Sequence, residues 1–248
     1  MMSIPDAIEN SQQIIAEYSP HPYYETYRPT ETGYWGGIPE WIAGLDPSPT
    51  TVLDVGCAYG TLMVFCRTFH SCDLYGVDVY PYISRELLIL YSIKYCVGFN
   101  VEADIFPWWQ KFDLIIFTEV MEHLECRPET TLVKLGQVLA PGGKILLSTP
   151  NRANYGGPSD TDYPDLESMP YVFDHDRCPE KERHSHHYLY SEDDLRRVVY
   201  NSGLRLEMLE GLEERHFSAV LTKDRARWTN HYLLRNCPEK VKEAMPYS

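Results

Sequence analysis

The sequence predicts an α/β protein whose parallel sheet is wound on both faces by helices. Two observations carry this. Between residues 51 and 150, the short runs "TVLDVG", "CDLYGVDV", "FDLIIF" and "GGKILLSTP" are apolar, rich in β-branched residues and bounded by Gly, Pro or Asp, as buried strands are. Between them, "GTLMVFCRTF", "YISRELLILYSIKY" and "ETTLVKLGQVL" carry apolar residues at helical spacing. Strand and helix in alternation imply parallel strands joined by crossover helices. After this block, "LRLEMLEGL" and "HFSAVLTK" read as two strands that finish the sheet antiparallel.

The flanks follow from the same rules. Upstream, "IPDAIENSQQIIAEY" and "IPEWIAGL" read as helices joined by a Tyr-, Pro- and Gly-rich connection. Downstream, residues 151–187 are irregular and rich in Pro, Asp, Tyr and His, a length that marks a lid, a binding loop or a disordered segment. Ser191 then predicts an N-cap with Asp194 completing a capping box, and the helix ends at Gly203. The expected organisation of residues 1–248 is one domain: an aromatic lid (1–50), a ligand-binding core (51–150), a substrate-side insertion (151–187), and a helix, hairpin and tail (188–248).

Composition excludes several classes. With 248 residues, 44% of them hydrophobic, the chain can bury one sizeable core. Its 22 basic and 36 acidic residues give a net charge of −14, which disfavours a nucleic-acid partner and favours small or cationic ones. No segment approaches the roughly 20 apolar residues of a membrane span, and no leader pattern opens the chain, so a cytoplasmic protein is expected. Seven cysteines without a C-x-x-C pair suggest reduced, mostly buried thiols.

"TVLDVGCAYG" is the most informative stretch. A strand runs into Asp54, and Gly56 and Gly60 let the backbone turn into a helix while a ligand approaches closely. The spacing departs from the G-x-G-x-x-G of dinucleotide sites. Asp54 would repel a pyrophosphate but suits a ligand with an ammonium group. The next strand ends in "YGVDV", where Asp78 can accept hydrogen bonds from two ribose hydroxyls and Val79 lies beside the base. In "EADIFPW", Asp104 is placed to accept from an adenine amino group, with Ile105 packing on the ring.

Together these segments resemble the class I S-adenosylmethionine-dependent methyltransferases. The resemblance runs from Thr51 to Asn151 through "LDVGCAYG", "GVD", "AD", "FDLIIFTEVMEHL" and "LAPGGKILLSTPN". "EVMEHL" and "STPN" are most similar to the branch containing the ubiquinone-biosynthesis O-methyltransferases. The resemblance implies a Rossmann-like, seven-stranded sheet with a reversed final hairpin. It also implies cofactor contacts at Asp54, Gly56, Gly60, Asp78 and Asp104, with Cys57 beside them in the loop. By the same analogy Glu119 faces the cofactor, and Tyr34 and Trp35 belong to a segment that closes over it.

"TEVMEHLEC" holds the candidate chemistry. On a helix starting near Glu119, residues Glu119, Glu122 and His123 share one face, at the end of a strand that opens on the crevice. Three readings stand: His123 or His186 as a metal-free general base supported by Glu122, a divalent-cation site completed by His186, or a structural role. The metal reading resembles the small-RNA 3′-terminal 2′-O-methyltransferases. His184, His186 and His187 also form a tract of zinc-ligand type, though solvated loop histidines look the same. The favoured expectation is methyl transfer to a small molecule at oxygen, with S-adenosylmethionine as cofactor and no required metal. The alternatives are RNA 2′-O-methylation and a non-catalytic cofactor-binding partner subunit.

Overall fold

A computed structural model describes residues 2–18, 23–155, 161–173, 186–224, 226 and 228. Its seven strands are β1 (Thr51–Val55), β2 (Asp73–Asp78), β3 (Lys94–Val97), β4 (Phe112–Thr118), β5 (Leu139–Pro150), β6 (Leu204–Glu210) and β7 (His216–Lys223). They form a single sheet in the order β3-β2-β1-β4-β5-β7-β6. The first five pair in parallel, whereas β7 runs antiparallel to both β5 and β6. The doubly wound sheet with an antiparallel final hairpin is therefore the fold the chain adopts.

The helices are α1 (Ile4–Tyr18), α2 (Tyr23–Trp35), α3 (Ile38–Ala43), α4 (Thr61–Phe69), α5 (Arg85–Tyr91), α6 (Pro128–Val138) and α7 (Glu192–Asn201). Two departures from expectation stand out. The connection before α3 is helix α2, which accommodates Pro29 in its interior. The predicted helix over 82–95 stops at Tyr91, and its last residues start edge strand β3; Ser92 takes a left-handed conformation at φ 53° and reverses the chain between them. The Ser191–Asp194 capping box forms as predicted, and the Tyr188 hydroxyl donates a further bond to Asp194.

The sheet core is apolar on both faces. Leu53, Ile115 and Phe117 are fully buried on one side, and Val52, Leu114, Ile116 and Leu146 on the other. Central parallel strands lie between two layers of helices, which is why their sequences read as continuous rather than alternating apolar runs. Cys57, Cys66, Cys72, Cys96 and Cys126 are free thiols. Among the described residues, no helix is long and apolar enough to cross a membrane.

A buried ion pair fastens part of the insertion. Arg127 donates to both carboxylate oxygens of fully buried Glu129 (2.7 and 3.3 Å) and to the Tyr171 hydroxyl (2.6 Å), while its backbone N–H bonds Pro170 O. Removing one partner strands a buried charge. Arg127→Met should cost about 3–5 kcal/mol in urea unfolding, and the double variant Arg127→Met/Glu129→Met should recover most of that loss. Equal destabilisation by the single and double variants would assign the effect to packing instead.

Candidate active site

The carboxyl ends of β1, β2 and β4 converge on the crevice. Gly56 follows β1 at φ 70°, and both it and Cys57 donate backbone N–H groups to Val77 O, tying the loop to β2. A Cβ on Gly56 would collide with Val120 Cγ2, so a side chain here would have to displace Val120 from the cavity wall. Gly60, at φ 82°, turns the chain into α4. Asp78 is buried at the end of β2 and accepts from Ala58 N (2.8 Å, Oδ2) and Tyr80 N (2.9 Å, Oδ1). These bonds fix the carboxylate at the carboxyl end of β2, where an acid suits a ligand diol. Asp78, Val79 and Gly56 line one cavity together with Phe99, Asn100, Glu102, Val120 and His123.

Gly56 also borders a second cavity. Asp54, Cys57, Glu119, Glu31, Tyr27 and Trp35 line it, so helix α2 supplies one of its walls. Burial, followed by the charge of Asp78, pushes the Asp54 carboxyl up to about 8. Burial likewise pushes Glu31 to about 7, against the hydrogen bonds from Gln12 and Thr61. Carboxyls that hold protons for want of a counterion suit an incoming ammonium. Glu31 and Tyr27 carry no pattern of their own, because a lone acid in a Tyr-rich helix looks like solvated surface in the sequence.

The predicted helix from Glu119 is absent. Glu119 sits at φ 53°, and only Met121–His123 form a single turn of 3-10 helix. The left-handed residue breaks the chain direction after β4, and the short turn still brings the acids together. Two hydroxyls from the end of β5 receive them: Ser148 Oγ donates to Glu119 Oε1 at 2.8 Å, and Thr149 Oγ1 to Glu122 Oε2 at 3.0 Å. The "STPN" motif thus serves the "EVMEH" motif, and Asn151 holds the β6–β7 connection through the carbonyls of Gly211, Leu212 and Glu214. Burial first, and the neighbouring Glu122 second, hold Glu119 well above the ordinary carboxylate range. Burial raises Glu122 as well, against the pull of His123.

Glu122 is 1% exposed, and its Oε1, which accepts no hydrogen bond, lies 3.8 Å from His123 Nε2. The His186 ring meets His123 edge-on at 5.0 Å. Burial, with His123, His216 and His187 adding to it, depresses His186 to about 4. Donor atoms of Glu122, His123 and His186 lie within 4.8 Å of one another, so these three could hold a metal. Glu119 is not in that group; its Oε2 faces His216 Nε2 at 3.3 Å instead. His187 turns away to Asp162, at 2.5 Å, and His184 lies outside the described residues, so the described part of the histidine tract does not converge on one ion.

Two expected contacts fall elsewhere. Asp104 and Ile105 line a cavity of about 520 Å³ with Phe106, Trp108, Lys111 and Val138, at the amino ends of β4 and β5 and away from Asp78. Ile105 is 62% exposed. The loop is held there by Lys134, whose Nζ donates to the carbonyls of Val101, Glu102 and Asp104. Glu102, two residues earlier, takes the expected place in the Asp78 cavity, its carboxylate accepting the backbone N–H groups of Glu125 and Cys126. Two acids in "VEAD" had equal claims from spacing alone.

A glycine turn, an acid closing β2 and a crevice at the carboxyl ends of parallel strands define a nucleoside-binding α/β enzyme site. The chain belongs to the methyltransferase-domain family, whose model matches residues 28–209, and is a class I S-adenosylmethionine-dependent methyltransferase. Its fold is similar to that of a TehB-like S-adenosylmethionine-dependent methyltransferase from Corynebacterium glutamicum (18% identity, TM-score 0.54, covering 89% of this chain and 100% of that one). It is also similar to an S-adenosylmethionine-dependent methyltransferase from Clostridium acetobutylicum (12%, 0.56, 82% and 99%). A third likeness is to the 1,6-didemethyltoxoflavin-N1-methyltransferase of Burkholderia thailandensis (13%, 0.55, 90% and 91%). No protein of curated function matches the chain in sequence. The residues fit the family's cofactor: the Asp78 carboxylate, anchored at the end of β2, suits its diol, and the buried acids Asp54 and Glu31 suit its ammonium.

Gly56→Val should abolish cofactor binding in titration calorimetry while the circular-dichroism spectrum stays folded, since the branched side chain meets Val120 and resists a positive φ. Retained binding would assign the loop another role. Asp54 and Glu31 predict a proton linkage. Both are protonated in part near neutrality and would ionise opposite an ammonium, so binding releases protons and tightens as pH rises from about 6 to 7.5. Identical binding heats in buffers of low and high ionisation enthalpy would remove both carboxyls from the ammonium's surroundings.

Proposed function

We propose that the protein methylates a small-molecule acceptor at oxygen, with His123 taking the acceptor's proton. When bound, S-adenosylmethionine supplies a methyl group already made electrophilic by its sulfonium. The observation that carries the reading is the position of His123: it borders the cavity of Gly56 and Asp78, with the buried Glu122 carboxylate 3.8 Å behind its Nε2. A negative charge on that carboxyl would stabilise the ring once it is protonated. His186, depressed to about 4, stays neutral and serves as an edge that confines His123 rather than as the base. Asp54, Gly56, Cys57, Asp78, Val79, Glu119 and Trp35 line the two cavities assigned to the cofactor, and Gly60 shapes the loop. Oxygen as the nucleophile rests on "EVMEHL" and "STPN", which resemble the ubiquinone-biosynthesis branch. The described part of the insertion, which meets the acidic turn through the His187 N–H on Glu122 O, forms the acceptor's side of the site.

A second reading has its own support. Opposite ligands on a small divalent ion are about 4 Å apart, so donors within 4.8 Å need close only slightly around one. Glu122, His123 and His186 would then hold a cation that polarises the acceptor hydroxyl. A net charge of −14 opposes the RNA acceptor associated with that arrangement.

Methyl-labelled S-adenosylmethionine offered with panels of hydroxyl and amine acceptors tests the assignment; label recovered only on nitrogen would refute oxygen transfer. His123→Gln should lower kcat about 10²- to 10⁴-fold and leave cofactor affinity unchanged. Chelator should leave the wild-type rate intact. Activity lost to chelator and restored by Mn²⁺ would put the metal reading in its place.

A further inference from the structure

We infer that His216 is a positioning residue that couples Glu119 to the end of helix α2, so that strand β7 sets the cofactor wall formed by Glu119 and Trp35. The inference rests on the proposed role of Glu119 at the cofactor.

The pairing of β5 with β7 is antiparallel, with Pro150 opposite His216 and Ser148 opposite Ser218. Because β7 runs against its neighbour, its first residue lies at the catalytic end of the sheet. His216 and Ser218, two apart, point to the same face. From that face they reach two different elements. Ser218 Oγ donates to Trp35 O at 3.1 Å, fastening the last residue of α2. The backbone beyond it presses on the strand so closely that a Cβ on Gly36 would collide with the same Oγ. The His216 ring packs edge-on against Tyr34 of α2, centroids 5.2 Å apart, and its Nε2 reaches Glu119 Oε2 at 3.3 Å. Glu119 is thus gripped from both sides, by Ser148 of β5 on Oε1 and His216 of β7 on Oε2.

This grip matters because Glu119 has little else to define it. Its backbone is left-handed and the turn after it spans three residues, so no helix fixes the direction of its side chain. The His216 Nε2 stands against Glu119 Oε2, and burial, ahead of the adjacent Arg215, lowers the pKa of His216. Tyr155 of the insertion packs on the same ring, with centroids 6.0 Å apart. His216 is therefore where α2, the acidic turn and the insertion meet.

The test measures S-adenosylhomocysteine affinity by titration calorimetry, together with the melting temperature, in four variants. His216→Phe keeps a ring against Tyr34 but removes the nitrogen; His216→Gln keeps a donor and loses the ring. His216→Phe should bind about tenfold more weakly with its melting temperature retained, the factor one lost polar contact carries. His216→Gln should stay near wild type. Glu119→Gln should bind at least as weakly as His216→Phe, and the double variant His216→Phe/Glu119→Gln no more weakly than Glu119→Gln alone. Wild-type affinity in His216→Phe beside a loss in Glu119→Gln overturns the inference, as do additive losses in the double variant. Equal weakening by Phe and Gln with a lowered melting temperature reduces His216 to packing and also overturns it. Wild-type affinity in Glu119→Gln refutes the assignment of Glu119 to the cofactor, and the coupling falls with it.

Discussion

Two neighbouring carboxyl groups, Glu122 fully buried and Glu119 largely so, impose the strictest condition on this fold. Removing a pair of like-charged groups from water is costly, and the surroundings answer with donors and a retained proton rather than with lysine or arginine. Ser148 and Thr149 donate one hydroxyl to each acid, and His216 and His123 face the oxygens left over. These partners come from β5, β7 and the acidic turn itself, so the pair exists only when the sheet has assembled in its final order. The backbone of the 186–190 segment then closes over the turn: His187 N–H bonds Glu122 O, and the Tyr190 hydroxyl bonds Met121 O.

The same condition accounts for the electrostatic character of the crevice. Asp54, Asp78 and Glu31 add further acids around Gly56, and the base that lines these cavities is the imidazole of His123. A cavity of this kind favours cationic ligands and repels phosphate-rich ones. Dinucleotides share the strand-turn-helix architecture, and it is the sign of the field that separates them from a sulfonium ligand here.

Legibility in the sequence followed the range of the interactions involved. Strands β1, β2, β4 and β5, the Gly56 turn and the Ser191 capping box are written in contiguous residues, and each lies where its pattern placed it. Asp78 and Val79 border the Gly56 cavity at the end of the strand whose pattern placed them there, whereas Trp35 was placed only by the resemblance of its segment. What escaped was set by distant parts of the chain. Helix α2 overrides its own Pro and Gly content by packing on α1 and the sheet, and the helix expected at Glu119 gives way because the clasp from residues 187–190 holds a tighter turn. Glu102 and Asp104 could not be ranked by spacing, since the choice belongs to Lys134, some 30 residues on, which draws three carbonyls of that loop toward α6. His216 had no motif to announce it; it enters through strand register alone.

The positive φ of Glu119 has an evolutionary consequence. A non-glycine residue in that region carries roughly 1–3 kcal/mol of strain, and here a carboxylate that would sooner be in water adds to it. Glycine or asparagine at this position would relax the backbone and lift the solvation penalty at once. Selection for heat resistance alone would therefore drift toward a sturdier protein that had lost its acid. A descendant with glycine in place of Glu119 would keep the turn and lose the group that Ser148 and His216 now hold.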